Sequence, residues 1–371
     1  MTDDTALQQV GSRQVHYFHG FDPASVNRYR RISQASAERL SLTLEDLPGE
    51  QIGWRARRGE VVSDIHHARY ADQVRRFQDC KMFRRLGRGI RALVGYLIDG
   101  SGLRIARQAP RTVVLALSPI LFTFVPFLIA AALVEPTGVL DTAFLAAFGI
   151  ALVVVAKAVF LLLVADLFAF YREIADGRSD VAENYLQAIA DLSEGIPVDN
   201  IDERLIVGHS LGGIGAILAT DRLLDRLPDE ASLGLLTLGS NHGLVLLQRG
   251  TGRDRLAKAI ARIARDRRVF WLDVSSPRDA FCVPLTDPLL FIQGDPEMRS
   301  PRVISAQLAK APRIPGDRRT VFAAMRRHMG YLLPPSAPDA FDFVGTVTGD
   351  QTLAAQFADR NDSPKARMWH R

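Results

Sequence analysis

Gly208-His209-Ser210-Leu211-Gly212-Gly213 places a serine in a Gly-x-Ser-x-Gly segment between two unlike runs. Before it, Glu203-Arg204-Leu205-Ile206-Val207 has the short apolar character of a buried strand. After it, Ile214 to Leu227 spaces its apolar residues as a helix does. A sharp strand-to-helix turn here lifts the Ser210 hydroxyl out of the backbone, where it can attack as a nucleophile. Gly208 and Gly212 suit that turn because it brings the strand and helix backbones close together. The start of the helix sets free N–H groups and the positive end of its dipole beside the serine, where an oxyanion forms during acyl transfer. The bare pattern also occurs in ordinary turns, so the flanking strand and helix give it its weight.

With those flanks the chain resembles the α/β-hydrolase superfamily, over about residues 13–66 and 178–335. The resemblance implies an α/β fold, a mostly parallel sheet flanked by helices. It also implies a triad in the chain order Ser, Asp or Glu, His, and an oxyanion donor from a loop nearer the N-terminus. The acid should follow a strand downstream of Ser210. Arg268–Val274 is rich in β-branched and aromatic residues and runs into Ser275-Ser276-Pro277-Arg278-Asp279-Ala280-Phe281-Cys282-Val283-Pro284. That loop is similar to the superfamily's acid loop, with an Asp shortly before Val-Pro, so Asp279 is the expected acid. Asp273 is the alternative, ahead of Asp287 and Asp295, and Asp279 could instead cap its own turn.

Of eight histidines, only His328 and His370 follow Asp279. His328, in Arg326-Arg327-His328-Met329-Gly330-Tyr331-Leu332, sits before a short apolar segment as the superfamily's base often does, and is the expected general base. A surface histidine in a basic helix is the competing reading. His242, after the strand-like Leu233–Leu238, is expected to line the pocket or make a local turn. Near the N-terminus, the strand-like Gln14–Phe18 ends in His19-Gly20-Phe21-Asp22-Pro23, which resembles the superfamily's oxyanion loop. Gly20 would let the backbone turn, and the amides of Phe21 and Leu211 would be the oxyanion donors.

These elements share the chain with a strongly apolar region. Hydrophobic residues make up 47% of the 371. Thr112 to Val134 holds no charge, enough to cross a bilayer core of ~30 Å. After Glu135-Pro136-Thr137-Gly138, Thr142 to Ala165 is apolar except for Lys157. Two spans over 112–134 and 142–165 make a transmembrane hairpin with both ends on one side. Pro119 and Pro126 are tolerated in such a helix. Lys157 is expected to snorkel or to pair with another protomer, leaving a homo-oligomer through the hairpin open.

Arginines and a lysine crowd residues 75–111 before the first span, Arg172 and Arg178 follow the second, and the hairpin loop has neither Lys nor Arg. The positive-inside rule then puts the sheet domain and both termini in the cytoplasm, on the inner membrane. Met1–Gly11 is polar and acidic, unlike a signal peptide, and two cysteines are too few for a disulfide framework. The net charge of +5 is concentrated beside the spans, which favours membrane lipids over nucleic acid as the partner. Ile90–Ile98 is either an interfacial amphipathic helix or a solvated basic face. No metal-ligand spacing or cofactor motif is present: His66 and His67 are adjacent, which points their side chains apart.

The expected organisation is a first sheet segment (1–70), an insertion (71–177), a second sheet segment (178–350) and a tail (351–371) without an assigned role. Strands are read at Val15–Phe18 and Val61–Ile65, and helices at Ser179–Ser193 and Arg249–Arg265. Ala306–Asp317, with two prolines, is read as a loop. Removing Thr112–Ala165 is expected to leave a sheet domain that folds. The leading function is a membrane-anchored serine hydrolase acting on an ester or thioester. An acyltransferase or peptidase would use the same triad, and a non-catalytic scaffold is the reading from another class.

Overall fold

The computed structural model describes residues 9–22, 25–49, 51–134, 137–158, 161–198, 201–292, 294–308 and 323–369. Eight strands among them form one mixed sheet: β1 (Ser12–Phe18), β2 (Thr43–Asp46), β3 (Gly53–Arg58), β4 (Val61–His67), β5 (Glu203–His209), β6 (Leu233–Leu238), β7 (Val269–Ser275) and β8 (Arg302–Ser305). Their spatial order is β2-β3-β4-β1-β5-β6-β7-β8. The pairs from β4 through β8 are parallel, while β3 pairs antiparallel with both β2 and β4. β5 and β6 are buried along their whole length, as expected of parallel strands covered on both faces by helices. β3 alternates instead: Trp54 and Ala56 turn inward, and Arg55 reaches across to Asp64 with two hydrogen bonds of 2.6 and 2.8 Å.

From β1 the chain crosses to the edge strand β2, returns through β3 to β4 beside β1, and resumes with β5 on the other side of β1. That reversal leaves a crevice beyond the carboxyl ends of β1 and β5, the place where open α/β sheets hold their ligands. Phe18 of β1 pairs with Gly208 of β5, so the loops after both strands emerge side by side.

Six helices separate β4 from β5 before the helix Asp180–Glu194, whose N-terminus is capped by Ser179. Pro110–Val134 is long and apolar enough to cross a membrane, and little of it is buried. The run expected as a second span, 142–165, falls on two helices. Val139–Ala158, of 20 residues, packs beside the first helix, and among the described residues Pro110–Val134 is the one helix long and apolar enough to cross a membrane. Leu161–Asp176 instead belongs to the body of the protein: Leu161, Leu162, Val164, Phe170 and Tyr171 are buried in the main core. Large apolar side chains close-packed among the surrounding helices make this segment as hydrophobic as a span. The Lys157 side chain and most of Ala306–Asp317 lie outside the described residues.

The deletion of Thr112–Ala165 would therefore remove core residues. It would also cut a tie to the loop after β7, where Thr112 Oγ1 donates to the Cys282 carbonyl (3.1 Å), next to the Arg111 donation to the Pro277 carbonyl (2.7 Å).

The tail is likewise part of the fold. Leu353 and Phe357 lie in the core, and the backbone at Arg367 bridges to Thr286. Arg13 of β1 pairs with Glu203 of β5 at 2.5 Å with side chains 0% and 3% exposed. The same guanidinium donates to the carbonyls of Val347, Gly349 and Gln351 at 2.6–3.0 Å. Arg13→Ala would strand a buried carboxylate and three carbonyls, and is expected to destabilise the protein by about 3–5 kcal/mol. A melting midpoint equal to wild type would show that this junction contributes nothing.

Candidate active site

Ser210 sits at the turn from β5 into the helix Gly212–Leu223 with φ of +58°, a left-handed conformation unusual for a residue with a Cβ. The Ser210 amide donates to the Leu238 carbonyl (2.9 Å), and its carbonyl accepts from Gly213 (3.0 Å) and Asn241 (3.3 Å). A Cβ at Gly208 would lie 2.5 Å from the Gly212 carbonyl oxygen and the Gly213 Cα, so the strand and helix do meet there. At Gly212 the obstacle is different: a Cβ would lie 1.9 Å from the carbonyl oxygen of Phe18, at the end of β1. The two glycines thus close the elbow on itself and onto the neighbouring loop.

That loop carries His19, Gly20 and Phe21. A Cβ on Gly20 would come within 3.1 Å of Ser210 Cβ, so close approach to the serine is what restricts this position. Among the described residues, the Phe21 and Leu211 amides have no protein acceptor, which leaves both free for an oxyanion. His19 fixes the loop. Its Nδ1–H donates to the Gly20 carbonyl (2.8 Å), its ring stacks on Tyr70 at 4.2 Å, and the Tyr70 hydroxyl donates to its carbonyl. Burial pushes the His19 ring down to about 4, so it is neutral.

The structure brings Asp279 and His328 together. The His328 Nδ1–H donates to Asp279 Oδ2 at 2.9 Å, with both side chains buried. Asp279 also accepts from the Tyr331 hydroxyl (2.8 Å) and the Phe281 amide (2.9 Å). Burial by itself would raise the Asp279 carboxyl, but the facing His328 and these donors outweigh it and hold the group below the ordinary range. The imidazole is thereby oriented with Nε2 turned away from the acid, and that atom makes no hydrogen bond. Ser210 and His328 line one small cavity of about 40 Å³ with Gly20, Phe21, Phe281, Leu163 and Leu167.

The alternatives are spent elsewhere. Asp273 accepts from Thr237 Oγ1 (2.5 Å) inside the sheet, and burial raises it to about 7. Asp287 caps the turn Pro288–Phe291, and Asp295 pairs with Arg265 at the surface. His242 bonds Ser240 Oγ (2.7 Å) and makes a local turn rather than lining the cavity. His66 stacks on His16 at 5.0 Å while His67 is buried against Tyr17, on the opposite face. His370 lies outside the described residues.

Four contributors carry no local sequence signal. His209 Nε2–H donates to the His328 carbonyl (2.9 Å), so the residue before the serine also holds the short helix Ala323–Met329 that carries His328. Burial, with His328 adding to it, pushes His209 down to about 3 and keeps it neutral. Tyr331 braces the acid and accepts from the Ser276 amide (2.8 Å). Tyr171, on the helix Leu161–Asp176, presents its hydroxyl to that of Ser210 and to Asn241 Nδ2. Asn241 in turn donates to the Phe281 carbonyl (2.7 Å). Only the His-x-x-Tyr spacing at 328–331 could have drawn attention beforehand.

Comparison of the chain with known protein families, curated proteins and solved structures finds no match.

Proposed function

We propose that this chain is a serine hydrolase of the α/β-hydrolase type, tethered to a membrane, that cleaves an ester or thioester. The observation that carries the proposal is the buried Asp279–His328 hydrogen bond in a cavity that His328 shares with Ser210 on its positive-φ elbow. Ser210 Oγ attacks the acyl carbon while His328 Nε2 takes its proton. Asp279 stabilises the imidazolium through Nδ1–H. The Phe21 and Leu211 amides receive the oxyanion. His328 then protonates the departing alcohol or thiol, leaving an acyl group on Ser210. Water, deprotonated by His328, attacks that acyl group, and the carboxylic acid departs as Ser210 recovers its proton.

The tether has three supports. Pro110–Val134 has 25 residues, about 37 Å at ~1.5 Å per residue. Its Phe122, Leu128 and Leu133, with Leu140 and Phe144 of the next helix, are large apolar side chains left exposed side by side, as suits contact with lipid. The helix Met82–Ile98 adds exposed Ile90, Val94, Leu97 and Ile98 at helical spacing, with arginines alongside, as an interfacial helix would. The basic flank supports a cytoplasmic face for the sheet domain.

The test is fluorophosphonate labelling of membranes that contain the full chain, followed by alkaline carbonate extraction. Labelled protein that stays with the membrane is expected. A folded protein that does not label would end the hydrolase reading, and release into the soluble fraction would end the tether.

A further inference from the structure

The walls around Ser210 limit the size of the group that the serine can carry. Their cavity measures about 40 Å³. A single water needs ~10–15 Å³, so there is room for about three non-hydrogen atoms. Phe21, Leu167, Phe281, Met325 and Met329 face this space, and all five are buried. The two aromatic walls are backed by other rings. Phe21 packs on Phe170 at 5.3 Å and on Phe77 at 6.3 Å, while Phe281 lies against the His328 imidazole at 4.6 Å. Side chains packed from behind have little room to retreat. Leu163 is the one lining side chain that is not buried, so the cavity reaches the surface there.

We propose that Ser210 takes a short acyl group, acetyl or propionyl, from an ester or thioester of a larger alcohol or thiol, a reading that rests on the hydrolase assignment and names its substrate class. Acetyl matches the space the walls leave. Which half of the substrate lies inside follows from the order of the reaction. The water that deacylates Ser210 takes the place of the leaving group, because His328 Nε2 serves both. That water comes from solvent, through the mouth at Leu163. The leaving group therefore lies toward the mouth, where its length is unrestricted, and the acyl group lies against the closed apolar wall. A longer acyl chain would have to push Phe21, Leu167 or Phe281 out of close packing, and each methylene without a place lowers kcat/KM by roughly tenfold or more.

Full-length protein in detergent would be assayed on p-nitrophenyl acetate, butyrate and hexanoate, and on the isomers hexyl acetate and methyl heptanoate. From acetate to hexanoate kcat/KM is expected to fall at least about tenfold, and hexyl acetate to be cleaved at least about tenfold faster than methyl heptanoate. Leu167→Ala and, from another wall, Met325→Ala remove apolar bulk without touching the triad. In each, the ratio of kcat/KM for butyrate to that for acetate is expected to rise about fivefold or more. Melting midpoints and labelling by a short-chain fluorophosphonate report folding. A wild type that is indifferent to acyl length, or that prefers hexanoate or methyl heptanoate, would overturn the short-acyl reading and leave the serine hydrolase standing. An unchanged butyrate-to-acetate ratio in every variant that folds would overturn it too. Wild-type protein that neither labels nor hydrolyses any of these esters would instead remove the hydrolase reading, and this proposal with it.

Discussion

Replacing Ser210 by alanine is expected to lower ester hydrolysis on the order of 10⁶-fold and to abolish fluorophosphonate labelling, with little change in melting. The size follows from the role: a triad nucleophile is the atom that bonds to the acyl carbon, and nothing in the cavity replaces it. Stability should hold because the substitution removes only the hydroxyl. The elbow's conformation is imposed by backbone hydrogen bonds to Leu238, Gly213 and Asn241, and an alanine meets the same φ. Labelling rates on purified wild type and variant provide the measurement. A variant that still labels at the wild-type rate would mean that another residue is the nucleophile.

Asp279→Asn is expected to cost about 10⁴-fold in kcat with the fold intact. The amide would fill the same space, but its NH2 would favour a His328 tautomer protonated on Nε2, the nitrogen that must take the serine proton. The Phe281 amide, which donates to Oδ1, would still meet the amide oxygen and hold the asparagine in place, while the Tyr331 hydroxyl, which donates to Oδ2, would have to accept from the NH2 instead. Asp273→Asn is the comparison. Asp273 answers to Thr237 inside the sheet, so its replacement should leave kcat within about tenfold of wild type. If Asp273→Asn were the more damaging of the two, the acid would have been assigned to the wrong strand position.

The elbow was legible because its signals are local. Glycines two residues either side of Ser210, a β-branched run before it and a helical period after it are all contained within twenty-five residues. Asp279 and His328 could be named only through a resemblance that supplies chain order, since nothing near either residue announces that they meet. What remained unreadable depends on distant partners. The charge on Arg13 is absorbed by Glu203 and the carbonyls of Val347, Gly349 and Gln351, so a surface-like residue is among the most buried. β3, with three arginines and glycines nearby, reads as a polar loop until Trp54 and Ala56 are seen to share one face. The helix Leu161–Asp176 was misassigned in part because uniform hydrophobicity does not distinguish a lipid-facing helix from one buried on all sides.

The order of segments has a consequence for how the chain is made. In the finished sheet β1 lies between β4 and β5, but β5 is synthesised only after all the helices from Ala71 to Glu194. For that interval β1 has one open edge, and Arg13 has no Glu203 to meet. At ~5–20 residues per second the wait is on the order of ten seconds. An unpaired strand edge is a template for aggregation, so the ribosome-bound half-sheet is the most vulnerable species in the life of this protein. Messages cut short before Glu203 should yield aggregates rather than a partial domain. β5 acts as a keystone, and Ser210 appears only once the apolar helices have already emerged.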